Sequence, residues 1–255
     1  MYKELKLKYD FEFDSLGIEN FYRSKKIQFF FDFIKRNNFK LKGDIYEFGV
    51  FKGKSLISTA LFLKKIKSKK KIYGFDSFSG FPKYHKYDNI EYFSELFRSK
   101  KITKEHYDLI RLNKKIQKKL KNNKISTKEI STSNDFSNTS YGYLKKKIEL
   151  LELDNIVLIK GNFEKTIPKF FEKNRKIFLA NIDCDLYLSY KNILPFIWKN
   201  LQNKGMIYLD EYYSLKFPGA RIACDEFLQD KSINMIKKKN KGSNFERCYI
   251  KKKVK

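Results

Sequence analysis

Cysteine is scarce in this sequence: Cys184, Cys224 and Cys248 are the only three, none lies in a C-x-x-C pair, and any pairing leaves one thiol over. That arithmetic suits packed thiols in a reducing compartment. Long apolar runs are missing too. No uncharged stretch approaches the roughly 18 residues of a membrane span. The opening "MYKELKLKYDFEFDS" has no uninterrupted apolar segment of the signal-peptide kind. A soluble, cytoplasmic protein is expected. Acid is also in short supply, with 29 Asp and Glu against 56 Lys and Arg and a formal net charge of +27. A field of that sign concentrates phosphates and invites a nucleic-acid reading. The lysines, however, fall in scattered runs such as "KKIKSKKK" and "KKIQKKLKNNK", with no aromatic platform between them. Lys, Asn, Ile, Phe and Tyr are abundant together, as A/T-rich codons dictate, so the runs read as solvated faces and tails. Histidine is nearly absent, and His85 and His106 match no motif and read as solvated side chains.

What is present is enough for a core. Hydrophobic residues make up 42% and aromatics 17% of 255 residues, which fits one α/β domain spanning 1–255. Periodicity supplies a map. Phe21, Ile27, Phe30, Phe31 and Ile34 share one helical stripe, followed by strand "DIYEFG", a glycine turn, a helix over 55–65 and strand "KIYGFD". Residues 84–134 are Lys- and Asn-rich without a convincing strand, and read as a helical insertion or lid over the substrate side. A helix from about Ser140, strands "NIVLIKG" and "KIFLANIDCD", a helix over 187–202, strand "GMIYLDE", a helix through "ACDEFLQ" and strands "INMIKK" and "ERCYIKK" complete the chain. Such alternation predicts a doubly wound, mostly parallel sheet with ligands at the carboxyl ends of its strands.

Those ends carry acids: Glu47 on the first strand, Asp76 on the second, Asp183 and Asp185 on a later one, then Asp210 and Glu211. Carboxylates gathered at one sheet edge repel one another, so the set points to a cation or a hydroxyl-rich ligand among them. The turn "EFGVFKGKS" runs straight into an apolar helix, an arrangement that aims backbone N–H groups at a ligand. It is neither G-x-G-x-x-G nor a P-loop, because Phe48 stands where the first P-loop glycine belongs. With Asp76 placed 29 positions after Glu47 to meet ribose hydroxyls, a phosphate-poor nucleoside fits better than a dinucleotide.

These residues carry a resemblance. "YEFGVFKGKSLISTAL" is similar to the first motif of class I S-adenosylmethionine-dependent methyltransferases, in particular the cation-dependent O-methyltransferases. With "GFDSFSGFP", "IKGNFEKTIP", "NIDCDLYLSYKNILPFIWKNLQNKGMIYLDEYY" and "FPGARIACDEF", in order over roughly residues 40–230, the chain resembles the macrocin O-methyltransferase family, which methylates sugar hydroxyls on natural products. The resemblance implies a Rossmann-like, seven-stranded class I methyltransferase fold. It also implies that Glu47, Gly49, Val50, Gly53 and Ser55 bind the methionine moiety, and that Asp76, Ser77 and Phe78 take the ribose. Gly161, Asn162 and Phe163 would border the adenine, and Asp183 would lie against the cofactor as well. Asp183, Asp210 and Glu211 would hold Mg²⁺, although the family usually has Asp-Asp where this chain has Asp210-Glu211. The implied acceptor is a sugar or glycosylated small molecule, and the implied assembly a homo-oligomer.

The chemistry explains the residue types. A sugar hydroxyl is a poor nucleophile until it loses its proton, and a hard divalent cation lowers its pKa while orienting it. All-oxygen ligands favour Mg²⁺ over zinc. Asp185, two residues past Asp183, is the candidate for the general base or for a group that accepts the substrate hydroxyl, so Asp183 and Asp185 form the catalytic pair. Two other readings stand beside this one. A nucleic-acid methyltransferase would suit +27, but the chain has no N-P-P-Y or D-P-P-Y tetrad. A non-catalytic cofactor-binding protein would follow if Glu211 abolished the metal site.

Overall fold

Ile45, Tyr46 and Phe48 are fully buried in β1 (Asp44–Phe48), with Ile45 in one apolar cluster and Tyr46 and Phe48 in another. Alternate side chains thus enter cores on the two sides of the strand, as a central parallel strand requires. Strands β2 (Ile72–Asp76), β3 (Ile156–Lys160), β4 (Ile177–Ile182) and β5 (Leu201–Leu209) run parallel with it. β6 (Met235–Lys239) and β7 (Glu246–Lys251) join antiparallel, giving the order β3-β2-β1-β4-β5-β7-β6. This computed structural model describes residues 4–24, 26–122, 125–229, 233, 235–239 and 245–252.

Nine helices lie among the described residues: α1 (Asp10–Leu16), α2 (Gln28–Asn37), α3 (Lys54–Lys65), α4 (Tyr92–Arg98), α5 (Lys104–Leu120), α6 (Tyr141–Leu150), α7 (Phe163–Phe170), α8 (Tyr187–Asn200) and α9 (Gly219–Leu228). Residues of α2, α3 and α6 share the first apolar cluster with Ile45, and those of α7, α8 and α9 share the second with Tyr46. The doubly wound, seven-stranded class I methyltransferase fold is therefore present. No described helix is long and apolar enough to cross a membrane.

Several boundaries differ from the periodicity map. Phe21 is buried but precedes the helix, which begins only at Gln28. Ser24 takes the Ile27 N–H on its hydroxyl at 2.9 Å and gives its own N–H to Gln28 Oε1 at 2.9 Å. Local side-chain bonds of this kind compete with helix. The helix expected to reach 202 stops at Asn200, because Leu201 pairs with Ile177 and already belongs to β5. Both terminal strands are shorter than "INMIKK" and "ERCYIKK", and Asn234 lies outside the described residues. Neither histidine is a solvated side chain. His106 is buried, bonded through Nε2 to the Ser214 carbonyl at 2.8 Å and stacked on Tyr213, and burial pulls its pKa down to about 4. His85 is half-buried against the Tyr187 ring, and its Nδ1 accepts the Tyr87 N–H. The insertion is largely helical. It builds a third cluster from Ile90, Phe93, Leu96, Ile102, Ile110 and Ile130 against Leu186 and Phe217.

Candidate active site

The chain leaves β1 for β2 on one side while β4 pairs on the other, so a crevice opens between the carboxyl ends of β1 and β4. Doubly wound sheets bind ligands at such a switch point. Gly49 lies in the crevice at φ +88, and a Cβ there would stand 1.8 Å from the Asp183 carbonyl oxygen, so only glycine fits. The turn that follows is braced by Asp76. Its Oδ2 accepts the Val50 and Phe51 N–H groups at 2.7 and 2.8 Å, and its Oδ1 accepts that of Phe78 at 2.6 Å. Asp76 thus orders the glycine turn, a role beyond the ribose contact the resemblance implies. Gly53 then caps α3 with positive φ and packs on Leu144.

A cavity of about 480 Å³ fills the crevice. Gly49, Val50, Ser55, Asp76 and Ser77 line it from the β1 and β2 side. Gly161, Asn162 and Phe163 line it beyond β3, where Gly161 N–H donates to the Asp76 carbonyl at 2.9 Å and Asn162 caps α7. Asp183, Asp185 and Glu211 line the opposite wall. Four expected site residues are not in the lining. Phe78 turns into the core against Tyr141, and Gly53 lies under α6. Asp210 is buried beneath Lys26, its side chain only 3% exposed. Glu47 points to the α3 side, fully buried, with Oε1 taking the Ser55 hydroxyl at 2.8 Å and Oε2 without a partner. Burial pushes the Glu47 carboxyl up to about 7. Asn181, which does line the cavity, also leaves its buried Oδ1 unpartnered. A cationic or hydrogen-donating group is wanted beside this pair.

On the acidic wall, ligand oxygens of Asp183, Asp210 and Glu211 lie within 4.8 Å of one another. Lys26, which no motif includes, reaches into the group with Nζ 2.7 Å from Asp210 Oδ2 and 3.2 Å from Asp183 Oδ2. Asp210 Oδ1 takes the Tyr208 hydroxyl and lies 3.6 Å from Arg247 Nη1. Burial works against ionisation of Asp210, but Lys26 and Arg247 outweigh it and hold the carboxyl well below the usual range. Asp183 moves the other way, raised by burial and by the neighbouring Asp210 charge. Asp185 sits just after β4 in the left-handed region at φ +59, and burial and then Glu211 raise its carboxyl well above normal. A non-glycine residue held there is the kind of local strain that clusters at functional sites. Glu211 is raised by burial and by Asp210.

Among the described residues, the insertion meets this cavity only at its end, through Ser131 and Ser133, with Phe136 just beyond. α4 and α5 face a separate cavity of about 460 Å³. Lys26, Arg247 and the serines escaped the sequence reading, since none sits in a quoted motif, and Asn181 went unassigned although it opens the "NIDCD" stretch.

Among known proteins, the family model described as Macrocin-O-methyltransferase (TylF) matches residues 121–239. The family resemblance is borne out. By that match, which covers just under half of the sequence, the chain is an S-adenosylmethionine-dependent O-methyltransferase. No curated protein matches it in sequence. Among solved structures, CalS11, titled a calicheamicin methyltransferase, is 22% identical with a TM-score of 0.60, over 86% of this chain and 76% of that one. Apo CalS11, titled a TDP-rhamnose 3'-O-methyltransferase, is 21% identical with a TM-score of 0.53 over the same shares. The O-methyltransferase NovP is 16% identical with a TM-score of 0.60, over 95% of this chain and 80% of its own. At these identities the structures speak for the fold.

Proposed function

We propose that this chain methylates a hydroxyl of a sugar or glycosylated small molecule, with Asp185 as the base. The observation that carries this reading is Asp185 itself. It is a buried carboxyl of raised basicity, fixed at φ +59 on the cavity wall between the glycine turn and the acidic trio. S-adenosylmethionine would supply an electrophilic methyl on a sulfonium, which leaves as a neutral thioether. The turn 49–55, ordered by Asp76, offers its edge to the methionine portion, and the unpartnered Glu47 and Asn181 oxygens lie behind Ser55 to receive positive charge. Ser77 and Asp76 face the ribose portion, while Gly161, Asn162 and Phe163 present backbone and a flat ring to the adenine. An acceptor hydroxyl seated between Asp183 and Asp185 would give its proton to the Asp185 carboxylate as the oxygen takes the methyl.

The donor set of Asp183, Asp210 and Glu211 is all oxygen and anionic, which fits a hard divalent cation such as Mg²⁺. Such an ion would lower the acceptor hydroxyl's pKa and hold it in line. The sugar preference draws on the family match and on the likeness to CalS11, a TDP-rhamnose 3'-O-methyltransferase. We also propose that the insertion serves as a cover, through Ser131 and Ser133.

A methyl-transfer screen over nucleotide sugars and glycosides, read by mass spectrometry, tests the reading. One acceptor should gain a single O-methyl group. Asp185→Asn should lower kcat by about 10²–10⁴-fold while leaving cofactor affinity by calorimetry unchanged. Failure of S-adenosylmethionine to bind, or methylation confined to RNA, would overturn it.

A further inference from the structure

Lys26 stands in the turn just before α2, far in sequence from every strand end that supplies an acid. Its Nζ nevertheless bridges Asp210 Oδ2 at 2.7 Å and Asp183 Oδ2 at 3.2 Å, two of the three carboxylates suited to a divalent ion. Magnesium takes its ligand oxygens at about 2.0–2.1 Å with near-octahedral demands. An ion placed on those oxygens would stand closer to Nζ than a dication and an ammonium tolerate. The two occupants therefore exclude each other. Charge agrees: three acids are opposed here by Lys26 and by Arg247, 3.6 Å from Asp210 Oδ1, so the trio is already largely compensated. Mobility agrees as well. Ile27 is buried at 3% and pins the backbone, while the Lys26 side chain is 38% exposed and borders the cavity. The ammonium can leave without moving α2.

Resting on the reading of the trio as a divalent-cation site, we propose that Lys26 is a tethered cation that holds this site and competes with metal for Asp183 and Asp210. Metal affinity is then set by this lysine as much as by the acids.

Manganese serves as the probe, with free Mn²⁺ followed by electron paramagnetic resonance. Lys26→Met should bind Mn²⁺ about tenfold or more tightly than wild type, whereas Lys26→Arg, which keeps the charge, should stay near wild type. In the wild-type protein, acetylation of Lys26 by acetic anhydride, mapped by mass spectrometry, should rise when Mn²⁺ saturates the site. That second measurement needs no variant to fold. Equal or weaker Mn²⁺ binding by Lys26→Met, absence of binding in every protein, or acetylation indifferent to saturating Mn²⁺ would each overturn the proposal. Methyl transfer is scored separately in EDTA, so a failed activity screen leaves this competition standing or falling on the Mn²⁺ data alone.

Discussion

At the scale of single residues, the informative groups are carboxyls that the fold leaves ill at ease. Glu47 is fully buried with one oxygen unpartnered, and its pKa is raised from 4.5 to about 7. An acid whose folded pKa exceeds its unfolded one favours folding only while it keeps its proton. That contribution is complete below about pH 4.5 and lost as pH rises through about 7. Glu47→Gln removes the loss, so the ligand-free variant should melt higher than wild type at pH 8.5, by on the order of 2–3 kcal/mol, and match it near pH 5. Thermal melts across that range check this, and a gap independent of pH would contradict it. The same substitution should weaken cofactor binding, because it removes a carboxyl buried directly behind Ser55, which lines the cavity that would take the positively charged donor. Lys26 and Arg247 show the limit of sequence reading at this scale. The acids could be found because strand ends collect them, but their counter-charges come from the turn before α2 and from β7, with no spacing to announce them.

At the scale of elements, β1, β2, β4 and β5 were legible because two-sided burial demands continuous apolar runs. The insertion was less so. Its apolar residues Phe93, Leu96, Ile102 and Ile110 are interrupted by lysines and by a loop, and only the folded chain gathers them over Phe217. His106 follows the same logic, since a lone histidine in a polar helix gives no sign that a buried carbonyl at Ser214 awaits it. Besides His106 and Asn113, which bond to the Ser214 and Leu215 carbonyls, one buried acid fastens the start of the insertion to the main body. Asp88, buried at 1%, accepts the His85 N–H at 2.7 Å and the Tyr187 N–H at 2.8 Å, and so caps α8 from outside. Asp88→Ala should cost about 1–3 kcal/mol by chemical denaturation. Amide exchange should also quicken through α4 and α5. Unchanged exchange there would mean that the cluster around Phe93 holds the insertion without this clasp.

At the scale of the whole molecule, the charge of +27 has a use that does not require nucleic acid. A positive field draws an anionic acceptor toward the cavity, and salt screens that attraction. If the acceptor carries phosphate, as a nucleotide sugar does, kcat/KM should fall as ionic strength rises from about 0.01 to 0.15 M, the range over which the Debye length shrinks from about 30 to 8 Å. A neutral glycoside should show a flat profile. Steady-state kinetics at several salt concentrations distinguish the two, and flat profiles for both would remove the field from the account.

Gly49, finally, welds the two halves of the site. With 1.8 Å between its missing Cβ and the Asp183 carbonyl, the backbone that carries the cofactor turn lies against the backbone that carries the acids. Asp183 N–H donates to the Phe48 carbonyl at 2.9 Å across the same seam. An engineer who grafts a foreign donor-binding loop onto this scaffold must transplant the β4 end with it. By the same constraint, a drifting lineage cannot trade one half for a new specificity while the other stays behind.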